Sequence, residues 1–119
     1  MPFVADRAGS RAPVRRLQHT RAVSYYLLEY VLADDYLARR ASLREAHLAL
    51  ARGASRRGDL ILAGALSEPA DRAVLVWRTD DRAVVARFAE DDPYVREGLV
   101  TTWTIRLWNV VIDAGPIEL

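Results

Sequence analysis

Apolar residues dominate the stretch from Val23 to Leu32, where Val, Tyr and Leu prevail and Glu29 is the only charge, and this reads as a β-strand closed by Asp34 and Asp35. From Ser42 the period changes. Leu43, Ala46, His47, Leu50, Ala51 and Ala54 recur at three- and four-residue steps, while Arg44, Glu45, Arg52, Ser55 and Arg56 fall elsewhere on the wheel, the pattern of an amphipathic helix. Ser42 with Glu45 three residues on makes a capping box at its start, and Gly58 is placed to end it in the left-handed conformation. The run Leu60, Ile61, Leu62, Ala63, broken by Gly64, predicts a second strand. A turn through Ser67, Glu68, Pro69 and Asp71 then leads into Ala73 to Trp77, so the two runs form a hairpin. Thr79 caps a second helix with Asp80 and Asp81 in its first turn and an inner stripe of Val84, Val85, Phe88 and Ala89. The final strand is the alternating stretch Val100 to Ile112. It sets Trp103, Ile105, Leu107 and Val111 on one face and Thr102, Thr104, Arg106, Trp108 and Val110 on the other.

Strand, helix, strand, strand, helix, strand is the order of the split βαβ unit, which predicts a ferredoxin-like α+β fold with one four-stranded antiparallel sheet and its helices on one face. The bare face then carries Val100, Trp108 and Val110. A large apolar patch rarely stays exposed on a soluble monomer, so a second copy is expected to cover it, giving a homodimer of the dimeric α+β barrel type.

Composition narrows the function. With 119 residues, 51% of them hydrophobic and 28% charged, the chain is long enough for one core without disulfides, and it has no cysteine. That excludes thiol nucleophiles and thiolate metal sites, and it suits the cytoplasm. Two histidines, His19 and His47, rule out a three-histidine zinc site, and no metal or other cofactor is expected. All 17 basic residues are arginine, so lysine Schiff-base chemistry and a Gly-Lys-Ser phosphate loop are excluded as well. Residues 1–21 hold five arginines against Asp6 alone, leaving residues 22–119 mildly acidic. The second segment reads as the folded domain and the first as a flexible basic arm, an arm for an anionic partner, or an extension from a start codon placed too early. The mildly acidic body speaks against nucleic acid, and no apolar run is long enough to span a membrane.

The folded part has one histidine, His47, on the apolar stripe beside Leu43, Leu50 and Ala51. It reads as a core histidine satisfied by backbone or a hydroxyl, or as a site residue. Asp92 before Pro93 is an ordinary N-cap with proline at the first helical position, and Tyr94 and Trp103 read as core aromatics.

Three stretches of the chain carry a resemblance. Arg44-Glu45-Ala46-His47-Leu48, Gly58-Asp59-Leu60 leading to Ala63-Gly64, and Asp91-Asp92-Pro93-Tyr94-Val95 leading to Gly98 are similar in order and spacing to the YCII-related (YciI-like) family over about residues 23–112. The chain departs from that pattern in its N-terminal addition and in a short turn between the second and third strands. The resemblance implies a ferredoxin-like dimer with a pocket holding a His and an Asp, which match His47 and Asp92. Some relatives resemble dehalogenases of chlorinated ring products, in which a proton moves so that chloride can leave. Arg44, Tyr26 and Tyr94 are the substrate-binding candidates that follow, with Tyr30 a further polar neighbour.

A carboxylate bonded to one ring nitrogen fixes the imidazole tautomer and leaves the other nitrogen free to take or give a proton. The expectation is therefore a cofactor-independent enzyme in which His47 and Asp92 perform proton transfer on a small organic molecule such as an aromatic-derived metabolite: elimination, isomerisation or lactone chemistry. The other reading is a non-catalytic dimeric protein that binds a metabolite in the same pocket as an accessory to a pathway.

Overall fold

Residues 23–115 are described in the computed structural model of the chain, so the expectations for the arm at 1–21 lie outside the described residues. The chain runs β1 (Ser24–Leu32), α1 (Tyr36–Arg39), a 3-10 turn (Arg40–Ser42), α2 (Arg44–Arg56), β2 (Leu60–Ala65), β3 (Arg72–Thr79), α3 (Arg82–Asp91), α4 (Pro93–Arg96) and β4 (Val100–Trp108). All strand pairs are antiparallel and the sheet order is β2-β3-β1-β4, the ferredoxin-like arrangement.

The two-residue period of the strands decides what is buried. Leu28, Tyr30 and Leu32 of β1 and Leu75 and Trp77 of β3 turn to the helix side, where Val85, Phe88 and Ala89 of α3 meet them. Trp77 and Phe88 pack edge to face with ring centroids 5.0 Å apart. On the other face, Tyr25 stands opposite Trp108 and Leu27 opposite Arg106, with Val74 and Val76 on β3 beside them. None of the described helices is long and apolar enough to cross a membrane.

Several local expectations give way to tertiary context. The chain turns helical at Tyr36, before Ser42, so the residue ahead of α2 is Leu43 with helical dihedrals (φ −109°, ψ −9°) and no side chain caps the helix. A side-chain cap needs extended geometry at that position. Ser42 sits in the 3-10 turn instead, its hydroxyl donating to the Arg39 carbonyl. The cap of α3 is Asp81 rather than Thr79: Asp81 is extended and accepts from the Ala83 N–H, while Thr79 stays buried at the end of β3 and accepts from the Asp81 N–H. β2 continues through Gly64 to Ala65. β4 stops at Trp108, so Val110 and Val111 lie beyond it, and the Tyr25 hydroxyl lies 3.3 Å from Asp113 in the segment that follows. Val100 does not lie on the bare face. A register shift between Val31 and Leu32 pairs it with Leu32, which turns it into the core. Leu107 points to the helix side from an edge strand, where it remains 68% exposed.

Gly58 and Gly98 occupy the left-handed region, at φ 86° and 80°, where the chain leaves α2 and where it turns from α4 into β4. The Gly58 N–H donates to the Ser55 carbonyl and the Asp59 N–H to that of Ala54, closing the helix end.

Candidate functional site

The site grows out of two short stretches that face each other across the helix layer. Asp92 sits between α3 and α4 with an extended backbone, and Pro93 starts α4 at the position where a missing N–H costs nothing. Its side chain caps that helix by accepting the Tyr94 N–H at 3.0 Å. Capping uses only part of the carboxylate's capacity, and the group is fully buried, so further donors must reach it. Tyr30, from the middle of β1, donates its hydroxyl to Asp92 Oδ2 at 2.7 Å. His47, at the end of the first turn of α2, brings Nδ1 to 2.9 Å from Oδ1 and 3.0 Å from Oδ2.

An ionised carboxylate accepts only, so this network places the proton of a neutral His47 on Nδ1 and leaves the lone pair on Nε2. Nε2 has no hydrogen-bond partner among the described residues. Tyr94 fixes the ring plane as well. Its phenol stacks on the imidazole with centroids 3.9 Å apart and planes 7° from parallel, and Tyr36 packs edge-on against Tyr94 at 5.8 Å.

Burial pushes the Tyr30 hydroxyl far above the usual tyrosine range, and the negative charge of Asp92 adds to it, so Tyr30 is a fixed donor. The Tyr94 hydroxyl is raised by burial and by Tyr36, against the opposing pull of the Arg44 and Arg40 guanidinium groups.

His47 retains 16% side-chain exposure and lines a cavity of about 380 Å³ between α2 and β2. Tyr36, Arg40, Arg44, Tyr94 and Arg52 share that lining with apolar residues of β2 and the sheet. Among the described residues no three histidine, aspartate or glutamate side chains come together as a metal site. The chemistry open to this arrangement is proton transfer at Nε2, with Asp92 orienting the ring and balancing the imidazolium.

Of the residues singled out in the sequence, the structure brings together His47, Asp92, Tyr30, Tyr94 and Arg44. Tyr26 is not with them. It stands on β1 between Trp77 and Leu107, packed against the core and absent from the cavity lining. Arg40, Arg52 and Tyr36 line the cavity without having been singled out. The spacing of Arg44, Leu48 and Arg52 at four-residue steps was the available signal, since such residues share one helix face.

The model of the YCII-related domain matches residues 23–109. No curated protein sequence matches the chain significantly. Among solved structures, the fold is similar to 5-chloro-2-hydroxyhydroquinone dehydrochlorinase from Burkholderia phenoliruptrix AC1100, solved in complex with 2,5-dihydroxybenzoquinone. That match has a TM-score of 0.61 and 18% identity over 71% of this chain and 93% of that one. A NIPSNAP family protein from Agrobacterium tumefaciens matches with a TM-score of 0.53 and 16% identity, over 85% of this chain and 96% of the other. At these identities the likeness is one of fold.

Proposed function

The chain belongs to the YCII-related family, and from that premise we propose that it is a cofactor-independent cytoplasmic enzyme in which His47 transfers a proton on a small organic substrate. The observation that carries the reading is the His47 Nδ1 contact with Asp92, which leaves Nε2 unpartnered on an imidazole that lines a cavity of substrate size. In the elimination we favour, Nε2 takes a proton from carbon. The C–H electron pair becomes a double bond to the adjacent carbon, and that carbon releases its halide. Asp92 stabilises the imidazolium until the proton passes to water. The fold shared with a dehydrochlorinase supports testing this reaction class first. Arg44 and Tyr94 are the substrate-binding residues of this reading.

We further propose that the working unit is a homodimer, with the bare sheet face of Tyr25, Leu27, Val74, Val76 and Trp108 covered by a second copy. A stable interface of this kind buries on the order of 800 Å² per partner.

Chloride release from a panel of chlorinated lactones and of chlorinated cyclic ketones, which carry a saturated C–H beside the C–Cl carbon, tests the reaction. His47→Gln and Asp92→Asn should retain the fold and lose roughly 10²–10⁴-fold in rate, the usual worth of general acid–base catalysis. An unchanged rate in His47→Gln overturns the assignment. Binding without turnover across the panel favours the accessory-protein reading.

A further inference from the structure

The charge around the cavity is one-sided. Arg40 from the 3-10 turn and Arg44 and Arg52 from α2 line it, and no aspartate or glutamate does. Asp92, the nearest acid of the network, is fully buried behind His47 and committed to three donors. Arg39, Arg57, Arg72 and Arg96, which lie outside the cavity, pair with Asp35, Asp59, Asp71 and Asp91. Among the described residues, Arg40, Arg44 and Arg52 enter no ion pair, and Arg40 is held over the Tyr36 ring at 5.6 Å. Helix geometry explains why they share one cavity. Arg44 and Arg52 are two turns apart on the face of α2 that presents His47, and Arg40 precedes Arg44 by one turn's length of chain. The opposite wall is apolar, formed by Ile61, Leu62 and Ala63 of β2. Three cations and no acid around a cavity with one apolar wall raise the local concentration of an anion and give a neutral molecule no such attraction.

We infer that the ligand of this cavity is a small planar anion, a carboxylate or an ionised enol or phenol, whose charge is held by Arg40, Arg44 and Arg52 while its apolar body lies against β2. The inference rests on the reading of the cavity as the ligand site, and it adds the substrate class and two specificity residues, Arg40 and Arg52. Guanidinium groups suit such a ligand because their planar fork offers paired donors to both oxygens of a carboxylate. The anion also sits where it attracts the proton taken by Nε2, since an imidazolium beside an anion is favoured over one beside a neutral ligand.

Benzoate and its neutral isostere benzamide separate the possibilities, titrated into the full chain while the His47 ring resonances are followed by NMR. Benzoate should move them with an affinity about tenfold above that of benzamide at low salt, and the gap should narrow as salt screens the arginines. Arg44→Gln and Arg52→Gln, whose side chains are exposed, should each weaken benzoate about three- to tenfold and leave benzamide unchanged, with Arg44→Lys recovering part of the loss. Equal affinity for the two probes, with both moving His47, overturns the anion inference and leaves the site reading intact. Binding of neither probe at His47 overturns both. Benzoate bound through the arginines without moving His47 supports the anion site and counts against the acid–base role.

Discussion

Tyr94 holds His47 in two separate ways. Its ring lies parallel to the imidazole at 3.9 Å, and its backbone N–H donates to the same carboxylate that His47 Nδ1 contacts. The stack sets the plane of the imidazole and the hydrogen bond sets the position of its partner, so the direction of Nε2 depends on one residue at the start of α4. Replacing the side chain and keeping the backbone separates the two. Tyr94→Leu should preserve the Asp92 cap, cost about 1–3 kcal/mol as a buried large-to-small change, and lower kcat more than it raises KM, because a loosened base loses alignment. Chemical denaturation and steady-state kinetics check this, and an unchanged kcat removes the orienting role.

Asp92 serves the helix and the histidine together, and two substitutions tell these duties apart. Asp92→Asn keeps an oxygen for the Tyr94 N–H and should lose activity with a modest loss of stability. Asp92→Ala removes the cap and strands the buried Tyr30 hydroxyl, which together should cost about 2–4 kcal/mol. A denaturation series in which the alanine variant loses less than the asparagine variant contradicts the network described.

Tyr30 makes stability depend on pH on the alkaline side. Its folded pKa lies above the ordinary value of 10.0, because burial and Asp92 both oppose the tyrosinate. The unfolded chain therefore gives up this proton at lower pH than the folded one, so the contribution is complete below pH 10 and is lost as pH rises beyond it. The melting temperature should fall steadily above that point, with the Tyr30 share of tyrosinate absorbance appearing only on unfolding. Tyr30→Phe should be less stable at neutral pH and show a shallower alkaline decline.

Gly58 ends α2 at φ 86°, and a Cβ there would meet nothing within 4 Å. The cost of a side chain is thus purely conformational. Gly58→Ala should lose about 1–2 kcal/mol, and Gly58→Asn less, since asparagine tolerates the left-handed region. Equal melting temperatures for all three proteins would remove the backbone argument.

Trp108 is 46% exposed on the face of β4 turned away from the helices. Trp108→Glu should shift the light-scattering mass toward the monomer at micromolar concentration and leave the helix-covered core intact. A monomer mass for the unaltered protein refutes the dimer.

Local pattern determined most of the architecture: apolar runs bounded by turn residues marked β1, β2 and β3, and the three- and four-residue spacing of apolar positions marked α2 and α3. Asp92 as a cap and Gly58 as a helix end were legible for the same reason, each being fixed by dihedrals within a few residues. The capping of α2 was not, because it depends on a turn that began at Tyr36. Nor was the burial of Val100, which follows from a register shift between two strands far apart in sequence. The site divides between the two: the family resemblance put His47 and Asp92 in one pocket, while Tyr30 as a third donor and the cavity arginines Arg40 and Arg52 came only from the packing. His47 and Asp92 are 45 residues apart and Tyr30 and Asp92 are 62, and no pattern in one stretch states which donor in another will meet a buried carboxylate. Only the packing of α2 and α4 over the sheet decided that, because a fully buried charge must gather its donors from whichever elements close around it.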